Sequence, residues 1–254
     1  MASPRPHQAA QATPLSWSAH DFEAYVFQRH LGARVSLLPL LVGTYAPDAF
    51  TKWFVYGVEV GGIQIAAADP AKFHRGWPGA GFTHSLLFAA VVALVALLVT
   101  RNRVWGFSVF VGAAAHSITD INDSLGTMLF WPFWDGHVST GAWAYAAQVG
   151  RYDDAGAYYS SLGLVMDSIW FVLALVNWRV LTKDYFRTVA APADPLWGWL
   201  GRRFPETALL AFYRAGFFYG TSRLIAWTIW AHVQNDFVFD LSWGGPSWIP
   251  AVSG

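Results

Sequence analysis

Cysteine is absent from the 254-residue chain, which excludes disulfides, thiolate metal sites and cysteine nucleophiles together. Charge is scarce as well. Only 13% of residues are Asp, Glu, Lys or Arg, about half of the ~25% usual in soluble domains. The charges sum to zero, so no overall field draws in nucleic acid, and no nucleic-acid partner is expected. With 55% hydrophobic residues and a mean hydropathy of +0.33, the chain reads instead as a membrane protein. Its 15 Trp and 19 Phe suit the two interfaces of a bilayer. Any metal must then be held by His, Asp or Glu, ligands that suit zinc, manganese or iron.

No internal repeat and no domain boundary stand out. Residues 1–15 are rich in Pro, Ala and Gln and read as a flexible tail, neither a signal peptide nor a spanning helix. Residues 16–254 read as a single helical membrane domain. The clearest span is 82–100, which lacks any Asp, Glu, Lys or Arg and is closed by Arg101 and Arg103. A shorter, small-residue-rich stretch, 104–119, follows. Residues 155–178, interrupted only by Asp167, and 207–233, carrying Arg214 and Arg223, are two more candidates. Upstream, the apolar run 35–46 pairs with the amphipathic stretch 18–30 as a hairpin that enters the membrane partway. The predicted architecture is all-α and multi-pass, with about four spanning helices of roughly 20 residues plus that N-terminal hairpin.

Basic residues orient these spans. Arg29 and Arg34, Arg101 and Arg103, then Arg179, Lys183, Arg187, Arg202 and Arg203 fall at alternate turns. If all three clusters are cytoplasmic, His20, Asp48, His84, His116, Asp120 and His232 gather at the extracytoplasmic end. Metal-binding side chains at the mouths of membrane helices are costly and mark a site.

His116 and Asp120 stand one helical turn apart, so both project from one face. Two ligands from one rigid turn fix half of a tetrahedron, although a His–Asp pair can also simply pack helices together. Asp123 falls near the same face if the helix continues. The run Gly112 to Ala115 allows close helix approach. His74 and Arg75 sit in a glycine-rich loop, and Thr83 is placed to cap the helix that begins near His84. Free amides at that helix start, with Arg75, favour an anion such as phosphate; the bland reading is a basic loop among lipid head groups. Asp48, after Pro47, is either a ligand or a helix-terminal group in water. His20 is preferred over His30 as a ligand, because His30 lies near the basic end. Asp167 and Arg223 are expected to form a buried ion pair. His232 and Asp236 make a second pair one turn apart, and His137 is expected to be solvated.

In order, the chain shows Pro47-Asp48, His74-Arg75-Gly76, Phe82-Thr83-His84-Ser85, His116 to Asp120, Gly126 and Trp131-Pro132. This series resembles the membrane-bound metal-dependent hydrolase family, the LexA-regulated inner-membrane hydrolases. Two departures accompany it. Phe50 and Thr51 stand where family members carry a further Asp and His, and residues 77–81 lengthen a loop. The resemblance implies a helical bacterial inner-membrane protein with kinship to zinc-dependent phospholipase-C-like folds.

Combining residues and resemblance, the expected function is a membrane-embedded hydrolase that acts on a lipid or lipid-linked phosphate at the extracytoplasmic surface. The expected cofactor is a divalent metal, zinc first, with two or more ions. His84, His116 and Asp120 lead the expected ligands, followed by His74 and Asp48, then His20. Asp120 or Asp123 serves as base for water and Arg75 holds the anion. Membrane lipid is the expected partner. The competing expectation is a non-catalytic accessory subunit of a larger membrane complex, favoured by Phe50, Thr51 and the aromatic C-terminal segment.

Overall fold

A computed structural model describes residues 17–49, 51–52, 58–65, 82–143, 151–234 and 238–249. Helix α1 (Ala19–Leu31) ends where Gly32 takes φ 56°, with its N–H bonded back to the Gln28 carbonyl. Glycine reaches that conformation without a Cβ penalty. Helix α2 (Leu37–Ala49) returns beside α1, so the expected N-terminal hairpin is present.

α1 is the buried centre of the molecule, packed by α2 and by the two later helices α6 (Leu162–Val176) and α8 (Glu206–Ile229). An amphipathic helix can be buried all round only if each polar side chain finds a partner. Here Gln28 Nε2 donates to the Gly32 and Val35 carbonyls at 3.1 Å each. Tyr25 Oη donates to the Tyr213 carbonyl at 2.7 Å and accepts the Phe217 N–H at 3.0 Å. Asp21 accepts from Tyr45 and, at 2.9 Å, from Arg223 Nη1.

That last contact corrects the expected Asp167–Arg223 pair. Asp167, fully buried on α6, instead accepts the backbone N–H groups of Ser18 and Ala19 at 3.2 Å each. It also accepts the hydroxyls of Tyr158 at 2.6 Å and Tyr159 at 3.0 Å. The N-terminal amides of α1 have no intrahelical partner, and a carboxylate favours the positive end of the helix dipole. The helix start therefore takes Asp167, leaving Arg223 to Asp21.

Helices α3 (Leu86–Thr100) and α4 (Arg103–Thr119) form a tight antiparallel hairpin. Ser85, not Thr83 as expected, caps α3, its Oγ accepting the Phe88 N–H at 3.1 Å. Arg101 at φ 53° turns the chain, and Asn102 Oδ1 caps α4 through the Val104 and Trp105 N–H groups. α2 and α4 cross in close contact. A Cβ on Gly43 would collide with the Val109 carbonyl, and one on Gly112 with the Leu40 carbonyl while standing 2.8 Å from the Thr44 nitrogen. The small-residue run thus does what its composition implied.

The stretch 155–178 is not one helix. It breaks at Ser160–Ser161 into α5 (Arg151–Tyr159) and α6. Ser161 Oγ caps α6 at the Gly163 N–H, while Ser160 Oγ turns back to the Gly156 carbonyl. A short helix α7 (Pro195–Gly201), capped by buried Asp194, precedes α8. The described chain also holds one β-hairpin and one antiparallel strand pair that is distant in sequence. β1 (Val58–Val60) pairs with β2 (Ile63–Ile65), and β3 (His137–Ser139) pairs with β4 (Ser247–Ile249).

Large apolar side chains remain exposed along α3 (Val91, Leu94, Val95, Leu98), α6 (Ile169, Val172, Val176) and α8 (Phe212, Phe218, Ile225). Apolar surface on this scale requires a cover. By length and composition, one helix among the described residues can cross a membrane, the 20-residue Arg103–Asn122 with mean hydropathy 1.2. α3 and α6, at 15 residues each, are apolar but shorter.

Candidate metal centre

Four side chains from three segments meet at one end of this bundle. Asp48 comes from the last turn of α2, and His84 from a 3-10 turn, Phe82–His84, just before α3. His116 sits in the last turn of α4, and Asp120 closes that helix, its N–H bonded to the His116 carbonyl. Their ligand atoms all lie within 4.8 Å of one another. None of the four residues is more than 6% exposed.

His84 Nε2 stands 3.3 Å from His116 Nε2, 3.4 Å from Asp48 Oδ1 and 3.5 Å from Asp120 Oδ2. His116 Nε2 is 3.4 Å from Asp120 Oδ2 and 3.7 Å from Asp48 Oδ1. Four donors about 2.0–2.1 Å from a common centre form a tetrahedron with edges of about 3.3–3.4 Å. Five of the six edges lie at 3.3–3.7 Å, and the sixth, between Asp48 and Asp120, lies within 4.8 Å.

Hydrogen bonding alone accounts poorly for the arrangement. Two imidazole nitrogens that face each other both carry a proton, both carry a lone pair, or share one proton between them, and two anionic oxygens complete the set. Asp48 Oδ1 receives no hydrogen bond of acceptable geometry. A divalent cation satisfies all four lone pairs and cancels the two carboxylate charges, so the residues present fit a metal ion.

Further side chains surround the set. Thr83 Oγ1 is 3.2 Å from His84 Nδ1, and an Nδ1–H donated there leaves the Nε2 lone pair facing the centre. Lys52 Nζ is 3.5 Å from Asp48 Oδ1. His20 comes to the site without joining the four. Its ring stacks on His116 at 4.0 Å, and its Nε2 reaches the other oxygen of Asp120, Oδ1, at 3.5 Å. On its far side, His20 Nδ1 meets Glu23 Oε2 at 3.2 Å, and Glu23 Oε1 accepts from Thr119 at 2.6 Å. Glu23 therefore ties α1 to the residue preceding Asp120. It was not anticipated, although its spacing of three from His20 is the signal that could have found it.

Asp123 does not continue the helical face. Residues Asp120–Asn122 tighten into a 3-10 turn and Asp123 is extended, its Oδ1 accepting the Gly126 N–H at 2.7 Å. It does line, with His20 and Asp120, a small cavity of about 10 Å³, room for about one water. His74, Arg75 and Asp236 lie outside the described residues. His232 Nε2 meets the Tyr159 carbonyl at 2.8 Å and its ring stacks on Phe239, so it serves the α5–α8 contact and not the centre. His137, expected to be solvated, is half-buried with Nδ1 at 3.0 Å from the Leu125 carbonyl.

The opposite end of the bundle is basic. Asp194 there accepts from Ser36 Oγ at 2.5 Å and Trp105 Nε1 at 2.9 Å. Tyr185 Oη donates to the Gln28 carbonyl at 2.6 Å. These bonds gather the turns carrying Arg29 and Arg34, Arg101 and Arg103, and Lys183 and Arg187. The two-ended charge pattern inferred from the order of residues is thus a property of the fold.

A family model described as YdjM inner membrane protein matches residues 22–186, which include Asp48, His84, His116 and Asp120. The chain belongs to the YdjM inner membrane protein family. No curated protein and no solved structure matches it. Membership points this YdjM-family chain to a bacterial inner membrane. It names no reaction.

Proposed function

We propose that this YdjM-family protein is a multi-pass, metal-dependent hydrolase of a lipid or lipid-linked phosphate, with its centre at the extracytoplasmic surface. The observation that carries the reading is the buried meeting of Asp48 Oδ1, His84 Nε2, His116 Nε2 and Asp120 Oδ2, all within 4.8 Å of one another. Hydrolytic zinc centres are held by imidazole and carboxylate and keep a position for water, which here would add to the four side chains as a fifth ligand. Zinc is the preferred occupant. A divalent ion there supplies Lewis acidity toward a phosphoryl oxygen and makes water a nucleophile near neutral pH.

The chain's own residues do the remaining work. Asp48, His84, His116 and Asp120 hold the ion. Glu23 and Thr83 orient His20 and His84. Asp120 and Asp123, both on the wall of the small cavity, are the candidates to take a proton from water. Arg75, which follows His74 in the adjacent loop of the sequence, is the candidate anion holder. Basic turns at the far end orient the bundle with the centre outward, and the site's position at the helix mouths suits a head-group substrate.

The test uses purified full-length protein with a phosphodiester substrate. Wild type binds a divalent metal and hydrolyses the substrate, and His116→Ala loses both. Unchanged metal content and activity in His116→Ala would overturn the proposal. One observation favours the accessory-subunit reading, namely Lys52 beside Asp48. Its ammonium already supplies one positive charge to a ligand carboxylate, and that reading predicts stable co-purifying partners and no turnover with metal bound.

A further inference from the structure

A groove of about 450 Å³ lies next to the centre, lined among others by Ser124, Trp143, Ser160, Ser161, Asp240 and Ser242. Trp143 also lines the small cavity that borders His20, Asp120 and Asp123, so groove and cavity share this residue. The groove's outer wall is fastened. Asp240 N–H donates to the Ser160 carbonyl at 2.8 Å, Gly244 N–H to the Gly141 carbonyl at 3.1 Å, and Trp243 Nε1 to the Thr140 carbonyl at 2.8 Å.

Three of the lining serines have already committed donors. Ser160 Oγ spends its hydrogen on the Gly156 carbonyl at 2.5 Å, and Ser161 Oγ on the Tyr158 carbonyl at 2.9 Å. Ser242 gives its N–H to Asp240 Oδ1 at 2.9 Å. What these groups still offer is lone pairs and one carboxylate. Hydrogen bonds from the Ser242 hydroxyl and N–H hold the Asp240 carboxyl below the usual carboxylate range, so it is ionised at neutral pH. Among the described lining residues there is no Lys, Arg or His. A phosphate placed here would meet acceptors and a negative charge. A group rich in N–H or O–H donors would be satisfied.

We propose that this groove receives the donor-bearing head group of a lipid, an ammonium or vicinal hydroxyls, beside the phosphate handled at the metal centre. The phosphate half of that statement rests on the hydrolase reading above, whereas the groove's preference for donors rests on its own lining.

The experiment measures binding of short-chain phosphatidylethanolamine, phosphatidylglycerol, phosphatidylcholine and phosphatidic acid to the full-length protein in detergent. Phosphatidylethanolamine offers ammonium N–H groups and phosphatidylglycerol offers hydroxyls. Phosphatidylcholine has a cation without N–H donors, and phosphatidic acid has no head group beyond the phosphate. The expected result is at least tenfold tighter binding of one or both donor-bearing lipids, with the preferred one identifying the donor. Asp240→Asn, on the surface and isosteric, is expected to reduce that preference at least fivefold without lowering thermal stability. His116→Ala is expected to weaken all four lipids alike and leave the preference in place. Equal binding of the four lipids, or a preference untouched by Asp240→Asn, would overturn the groove assignment even if hydrolysis is observed. A preserved preference with no hydrolysis in metal-loaded wild type would overturn the hydrolase reading alone.

Discussion

Replacing Asp167 with Ala tests how α1, which carries His20 and Glu23, is held. The carboxylate accepts four hydrogen bonds, two from the first amides of α1 and two from tyrosine hydroxyls. Polar contacts between membrane helices average about 0.6 kcal/mol, which gives about 2.4 kcal/mol for four. Hydrogen bonds to charged groups reach about 1.5 kcal/mol or more each, which gives about 6 kcal/mol. Asp167→Ala should therefore lose about 2–6 kcal/mol, with Asp167→Asn between it and wild type. Thermal unfolding in detergent should show this as a fall of at least about 4–8 °C, at roughly 2–4 °C per kcal/mol for a chain of this size. Metal affinity should fall as well, because α1 buttresses His116 and Asp120 through His20. An Asp167→Ala protein within about 0.5 kcal/mol of wild type would refute the capping argument, since four buried donors cannot lose their only carboxylate at so small a cost.

Three other perturbations have definite outcomes. Asp21→Ala and Arg223→Ala should each destabilise by about 3–5 kcal/mol, because each leaves a buried charge, while the double variant should cost clearly less than their sum; unfolding midpoints of the four proteins give the coupling. Gly112→Val should lose at least about 3 kcal/mol, because the added carbons meet α2 backbone, whereas Gly198→Ala, with nothing within 4 Å of its Cβ, should stay within about 1 kcal/mol of wild type in the same assay. Glu23→Gln should weaken metal binding about 10–100-fold while leaving the ligand count unchanged, as read by competition with a chelator.

The parts of the site that could be read from residue order are those fixed by one helix or one helix end. His116 and Asp120 need only the 3.6-residue repeat to share a face, and Asp48 needs only the end of an apolar run. The surroundings depend on what other helices bring. Arg223 could have paired with Asp167 or Asp21, and the choice follows from the start of α1 claiming Asp167, which no linear pattern displays. The same holds for the burial of α1 itself. Its Asp21, Glu23 and Gln28 look like a solvated face until Arg223, Thr119 and the turn at Gly32–Val35 are folded against them. The break at Ser160–Ser161 stayed hidden because serines sit comfortably inside apolar helices. Only the Ser161 cap to Gly163 and the Tyr158 ring beneath that glycine reveal the corner.

X-ray absorption at the zinc edge, on full-length protein loaded with one equivalent of zinc, tests the metal centre most directly. The account predicts a five-coordinate shell of two imidazole nitrogens, two carboxylate oxygens and one water oxygen at about 2.0–2.2 Å, with the imidazole signal halved in His84→Ala and in His116→Ala. An all-oxygen six-coordinate shell, or a spectrum unchanged by both substitutions, would contradict it.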